Sequence, residues 1–443
     1  MDNIFDNSDS NAADNKDDDK KKSFSPFDEL KKQIESVFGT SNSKIGVMFP
    51  GMPEVKDTNT ADDQADAETA KLIEKIKNFN LKPRQIRDFL DKFVIKQSEA
   101  KKVLSVAICD HYNHVKRCLT DENASELEYS KQNILLLGPT GVGKTYLIKN
   151  IAKLIGVPFV KVDATKFSET GYVGSDVDEM VRDLVKVANG NVELAQYGIV
   201  FIDEIDKIAT AAGGDGRDVS GRGVQINLLK LMEESEVNVY SQTDMLSQLR
   251  AAMSFTSGKE QKQSINTKHI LFIASGAFDK LSDIIKRRIG AHSIGFSLQP
   301  HIEDNDESFE YFKQVATADF IKYGFEPEFV GRLPVRVACE PLNAEDLKQI
   351  LTSSEGSILK QYIEDFRGYG IKFDIDDGAL TEISRRAADE KTGARGLLTI
   401  LERLLRDFKF ELPSTDIHSF TISKQSVEDP NMALQNILQN NNE

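Results

Sequence analysis

The octapeptide Gly138-Pro-Thr-Gly-Val-Gly-Lys-Thr145 constrains this chain more than any other stretch. It fits G-x-x-x-x-G-K-[ST], and its flanks fit as well. The apolar run Ile134-Leu-Leu-Leu137 leads in as a buried parallel strand, and Leu147, Ile151, Leu154 and Ile155 follow at helical spacing. Strand, glycine-rich turn and helix in that order make a phosphate cradle. Glycines let backbone N–H groups turn inward, and the helix N-terminus adds partial positive charge. Lys144 can reach the β- and γ-phosphates, and the Thr145 hydroxyl can hold Mg²⁺. Gly138, Pro139, Thr140, Gly141, Val142, Gly143, Lys144 and Thr145 are therefore the expected nucleotide-binding residues.

Further apolar runs, Pro158–Val162, Gly198–Ile202 and His269–Ala274, read as strands that alternate with helical patterns. Such alternation specifies an α/β fold with an open, mostly parallel sheet and helices on both faces, and ligands then sit at the carboxyl ends of the strands. Beyond Gly331-Arg-Leu-Pro334 the pattern becomes helical, over about 343–366, 377–388 and 393–412, with a strand-like Ile371–Ile375. Asn343 is the expected N-cap of the first of these helices, with Asp346 at the capping-box position. The expected organisation is an acidic, disordered N-terminal extension (1–70), a large α/β ATPase domain (71–335), a small helical domain (336–428) and a disordered Asn/Gln-rich tail (429–443). The extension is either a spacer or a partner-docking segment. Just upstream of the cradle, Val94 and Ile95 either wall a nucleotide base or pack in the core.

The strand Ile199-Val-Phe-Ile202 ends in Asp203-Glu204. Asp203 can coordinate Mg²⁺ directly or through water, and Glu204 can polarise a water attacking the γ-phosphate. Phosphoryl transfer also needs cations on the developing charge. Arg332 and Arg395 both sit in short glycine-flanked contexts; read alone, each reads as a surface or salt-bridging arginine.

A net charge of -15 disfavours nucleic acid or an anionic membrane as a partner of the whole surface. No apolar run approaches membrane-spanning length, and the acidic N-terminus resembles neither a secretory nor a mitochondrial leader, so a cytoplasmic protein is expected. Cys109, Cys118 and Cys339 contain no Cys-x-x-Cys pair and point to neither a disulfide framework nor zinc.

Taken together the motifs resemble those of the AAA+ ATPases of the Clp/Hsp100 type, the ClpX group most closely. The resemblance is carried by the phosphate cradle, Gly171-Tyr-Val-Gly174, Ile202-Asp-Glu-Ile-Asp-Lys207, Asp218-Val-Ser-Gly221, Ile294-Gly-Phe296, Pro327-Glu-Phe-Val-Gly-Arg-Leu-Pro334 and Lys391-Thr-Gly-Ala-Arg-Gly396, in the family's order. It implies a homo-hexameric ring that uses ATP and Mg²⁺ to unfold tagged or unfolded proteins, thread them through a pore and deliver them to a ClpP-type peptidase. By that similarity Arg332 is the arginine finger acting on a neighbouring subunit, Arg395 the sensor-2 arginine, and Ser275 lies near the sensor-1 position. Tyr172 and Val173 resemble the pore loop that grips substrate, and Ile294, Gly295 and Phe296 the loop that docks the peptidase. An aromatic between glycines suits a bulky paddle on a mobile backbone, and two apolar residues in a polar loop suit insertion into a pocket.

The chain departs from the group's pattern in places. The four-cysteine zinc domain is not seen, so no zinc is expected. The Val-Ile-Gly-Gln box reads Val94-Ile-Lys-Gln97, Arg222 replaces a common acidic residue, and the basic pore-entrance loop is not recognisable. Lys161–Phe167 and His269–Phe278 look closer to HslU, but HslU's large inserted domain is missing between Gly174 and Asp203. Two alternatives stand beside the protease-coupled unfoldase: a peptidase-independent remodeller of complexes, and a nucleotide-switched scaffold without productive turnover. The paired Asp203-Glu204 weighs against the scaffold.

Overall fold

The computed structural model describes residues 69–121, 130–167, 176–209, 219–239, 264–290 and 304–440, with 353, 354 and 356 excepted. Tyr172, Val173, Ile294, Gly295 and Phe296 lie outside the described residues, as does nearly all of the 1–70 extension.

In chain order the strands are β1 (Ile134–Leu137), β2 (Phe159–Asp163), β3 (Ile199–Asp203), the short antiparallel pair β4 (Glu236–Asn238) and β5 (Ser264–Asn266), β6 (Leu271–Gly276), β7 (Val335–Ala338), β8 (Lys372–Ile375) and β9 (Ser419–Ile422). The helices used below are α1 (Ser98–Thr120), α2 (Lys144–Ile155), α3 (Val219–Glu233), α4 (Pro327–Gly331), α5 (Ala344–Thr352), α6 (Ile358–Gly368), α7 (Asp377–Asp389), α8 (Ala394–Glu411) and α9 (Pro430–Asn440).

Five strands form one parallel sheet in the order β2-β3-β6-β1-β7. Its three central strands explain the apolar runs. β1 and β6 are buried at every residue, and β3 at all but Asp203. A strand covered on both faces reads as continuous hydrophobicity rather than alternation. The edge strand β7 is missing from the sequence reading, which places a boundary at 335. Only Val337 of its four residues is buried, and Arg336 interrupts the apolar pattern, yet β7 pairs with β1 from Ile134↔Val335 to Leu137↔Ala338. The sheet therefore extends past that boundary.

A second apolar core runs from Leu347 to Leu434 and is built by α5 to α9 with the parallel pair β8–β9. Leu342 packs against both cores. The capping box expected at Asn343 is present: Asp346 N donates to Asn343 Oδ1 at 2.8 Å and Asn343 N to Asp346 Oδ2 at 2.9 Å. The long helix expected over 343–366 is two helices, the second capped by Ser357, whose Oγ accepts from Lys360 N.

The disordered tail expected from 429 is corrected. α9 is a helix, opened by Asp429 accepting from Met432 N at 3.0 Å. Leu434 is buried in the second core and Ala433, Ile437 and Leu438 pack against it. This i, i+3, i+4 stripe lies hidden in an Asn/Gln-rich composition. No helix among the described residues is long and apolar enough to cross a membrane.

Candidate nucleotide site

β1 ends at Leu137 and the chain turns sharply into α2. Gly138, Gly141 and Gly143 have φ of +138°, +75° and +94°, conformations closed to most side chains. Space is a second constraint. A Cβ on Gly138 would lie 2.6 Å from the Cys339 carbonyl oxygen, and one on Gly141 would collide with the Thr392 carbonyl. The loop is thus clamped between the end of β7 and the turn entering α8. Ala394 N donates to Gly141 O at 2.9 Å, which ties the loop to the second core directly.

Lys144 is 8% exposed, and its Nζ donates to Gly138 O at 2.6 Å and Pro139 O at 2.8 Å. Burial lowers its pKa from the ordinary lysine value, while Asp203 and Asp206 pull the other way. An ammonium held among carbonyls inside a glycine loop offers positive charge to an anion bound there.

Asp203 stands at the end of β3 beside β6. Ser275 Oγ donates to its Oδ1 at 2.6 Å, Glu204 N to the same oxygen at 3.2 Å, and Lys161 Nζ lies 2.8 Å from Oδ2. Burial alone would raise the Asp203 carboxyl, but the hydrogen bonds from Lys161 and Ser275 outweigh it and hold its pKa below the ordinary value. Glu204 has φ +56°, left-handed for a residue with a Cβ, and is exposed to the cavity it lines. A non-glycine residue held there is a strained position of the kind found at functional sites.

These residues surround one cavity of about 690 Å³, lined by Pro139, Thr140, Gly141, Gly143, Lys144, Thr145, Asp203, Glu204 and Arg395 among others. Arg395 enters from the first turn of α8, so both cores wall the cavity. Ser275 sits behind Asp203, fully buried. An adjoining apolar cleft of about 230 Å³ is lined by Phe93, Val94, Ile95, Val142, Gly143, Tyr146, Ile350 and Ile358. Its size and lining suit a flat, apolar-faced ring system next to the phosphate end.

Arg332 does not join them. It caps α4, half-exposed, and pairs with Glu233 at the end of α3; it is not among the residues lining its own chain's cavity. Sequence reasoning missed Lys161, Asp206 and Thr392. Lys161 is a lysine within a strand and carries no motif. Asp206 had a signal, as the third acid of the Ile202–Lys207 run. Its side chain is 2% exposed, its Oδ1 has no hydrogen-bond partner among the described residues, and it lines the same cavity. With the Thr145 hydroxyl, these carboxylates form a hard-oxygen set of the kind that suits Mg²⁺.

The domain family described as "AAA domain (Cdc48 subfamily)" matches residues 129–336, and the "C-terminal, D2-small domain, of ClpB protein" matches 342–416. The chain is 42% identical over 361 residues to the ATP-dependent Clp protease ATP-binding subunit ClpX of Bacteroides thetaiotaomicron, covering 80% of this chain and 83% of that protein. It is 43% identical to the ClpX of Borrelia duttonii over 354 residues, 79% of each chain. The ClpX of Treponema denticola shares 40% over 334 residues, 75% of this chain and 77% of that one.

The chain belongs to the ClpX family.

As a ClpX-family AAA+ protein it is a nucleotide-binding ATPase, and the cradle, Asp203-Glu204 and the flanking α8 turn lie inside the two matched domains. Lys96 stands where the ClpX box has glycine. It keeps the glycine-like backbone, φ +59°, and its ammonium donates to Pro341 O and Asp346 Oδ2, both at 2.9 Å.

Proposed function

We propose that this chain is an ATP-driven protein unfoldase that works as a homo-hexameric ring and delivers tagged or unfolded proteins to a ClpP-type peptidase, in the cytoplasm and without nucleic-acid or membrane partners. One observation carries the coupling. The phosphate cradle of the α/β core is hydrogen-bonded, through Gly141, to the turn that opens α8 of the second core. Whatever occupies the cavity touches both bodies, so a change from ATP to ADP alters how they can pack. Leu342, shared by the two cores, marks the pivot between a large domain reaching Cys339 and a small domain beginning near 342.

In the hydrolytic step Glu204 accepts a proton from the attacking water as its oxygen bonds to the γ-phosphorus, and the bond from that phosphorus to the β–γ bridging oxygen breaks. Lys144 and Arg395 take up charge on the departing phosphates. Thr145 and Asp203 would hold Mg²⁺, which would supply positive charge to offset that of the phosphates. Ser275 orients Asp203. Arg332, paired to Glu233 and not among the residues lining its own chain's cavity, completes a neighbour's site in this reading. Val94 and Ile95 hold the adenine base. Tyr172 and Val173 grip the substrate, and Ile294, Gly295 and Phe296 dock the peptidase.

The test is ATP-dependent degradation of a fluorescent tagged substrate with a ClpP-type peptidase, comparing the intact chain with one lacking residues 294–296. Loss of degradation with ATPase retained supports the reading. Equal degradation by both removes the docking assignment, and no degradation by either, with ATPase intact, favours the stand-alone remodeller.

A further inference from the structure

At the C-terminal end of α1, far along the helix from the base cleft, His114 and Cys118 lie one turn apart on one face. His269, from the residues leading into β6, meets them. A ring nitrogen of each histidine and the Cys118 sulfur all lie within 4.8 Å of one another. Cys118 Sγ stands 3.4 Å from His114 Nε2. Two ligands of one tetrahedral zinc ion, at zinc–sulfur and zinc–nitrogen bond lengths of roughly 2.3 and 2.0 Å, stand roughly 3.5 Å apart. The 3.4 Å between these two atoms, which is also a hydrogen-bonding distance, fits two ligands of one ion.

A second observation points the same way. His269 Nδ1 is buried with no hydrogen-bond partner among the described residues, and so is Nδ1 of the adjacent His111. An orphaned imidazole nitrogen in a buried site is costly. His111 Nε2 meanwhile lies 3.1 Å from the His269 carbonyl oxygen, and His111 stacks edge-on against Tyr112. This is the kind of outer support that fixes a ligating residue.

We propose that His114, Cys118 and His269 form a binding site for a single zinc-type divalent ion, with the fourth position open to water. Two imidazoles and a thiolate are a borderline-soft set that selects zinc over magnesium or calcium. On binding, the Cys118 S–H bond breaks, a sulfur–metal bond forms, and the proton leaves to solvent. The ion would staple the end of α1 to the amino end of β6, opposite the edge where nucleotide binds. The expectation of no zinc rested on the search for cysteine pairs, which a His-x-x-x-Cys turn plus a distant histidine does not satisfy.

The experiment uses the full chain, tag removed, nucleotide-free and stripped with a chelator, titrated with Co²⁺ and then Zn²⁺. One equivalent of Co²⁺ should give a thiolate-to-cobalt charge-transfer band and the strong visible bands of four-coordinate cobalt, and Zn²⁺ should erase both. Cys118→Ser should abolish the charge-transfer band with the circular dichroism spectrum unchanged. His114→Ala and His269→Ala should each weaken binding by about tenfold or more, while Cys109→Ser keeps the band. Zn²⁺ should raise the melting temperature of the wild type but not of Cys118→Ser. Absence of the band in the wild type, or its survival in Cys118→Ser, overturns the proposal.

Discussion

Ala394 N donates a hydrogen bond to Gly141 O at 2.9 Å, joining the glycine loop of the α/β core to the first residue of α8 in the second core. The contact is backbone to backbone and leaves no room for a side chain. A Cβ on Gly393, at φ +61°, would lie 2.8 Å from Gly141, and one on Gly141 would strike Thr392. Gly141→Ala should therefore separate the two bodies. Strain at a left-handed glycine and the collision together should cost about 1–3 kcal/mol. A fluorescent ATP analogue should bind at least several-fold more weakly, and unaltered binding would refute the clamp.

Ser275 is fully buried and donates to Asp203 Oδ1. Removing the hydroxyl leaves the carboxylate to Lys161 and the Glu204 amide. In Ser275→Ala, kcat for ATP should fall by about tenfold with KM changed far less, because orientation is lost and not binding. A change confined to KM would place Ser275 in substrate binding instead.

Lys96 occupies a left-handed position and offsets the strain with hydrogen bonds to Pro341 O and Asp346. Alanine would keep the strain and lose the bonds; glycine would lose the bonds and relieve the strain. Lys96→Ala should be less stable than Lys96→Gly by about 1 kcal/mol, measured by urea unfolding. Equal stabilities would mean that the backbone relaxes.

Lys131 carries a pH signature. Its Nζ donates to Thr267 O at 3.0 Å and sits 4.9 Å from the Phe272 ring centroid, and burial depresses its pKa from 10.5 to about 7. Between those values the unfolded chain binds more protons than the folded one, so stability rises with pH across that window. Below about pH 7 the cost of the buried charge is present in full. Lys131→Met lacks the group, so its stability relative to wild type should be highest near neutrality and decline toward pH 10.5. Denaturant unfolding of both proteins along the pH series checks the slope, and parallel curves would contradict it.

Much of the nucleotide site was legible because its demands are local. A glycine turn after a buried strand and acids at a strand end are written in consecutive residues, and the structure brings Lys144, Thr145, Asp203, Glu204 and Arg395 around one cavity. What escaped was set by tertiary packing. β7 is short and half polar, and becomes a strand only because β1 offers an open edge. α9 looks like polar low-complexity chain until Leu434 finds the second core. Lys161 reaches Asp203 from a neighbouring strand, and His269 reaches Cys118 across a long stretch of sequence; neither pairing leaves a trace in spacing.

The most direct measurement follows the fluorescence of a tagged, stably folded substrate mixed with the chain and ATP, for the wild type, Glu204→Gln and Tyr172→Ala, with ATP turnover recorded in the same samples. The wild type should extinguish the fluorescence while hydrolysing ATP. Glu204→Gln should bind ATP with neither turnover nor unfolding, and Tyr172→Ala should hydrolyse ATP but unfold far more slowly. Undiminished turnover in Glu204→Gln, or undiminished unfolding in Tyr172→Ala, would contradict ATP-driven threading by these residues.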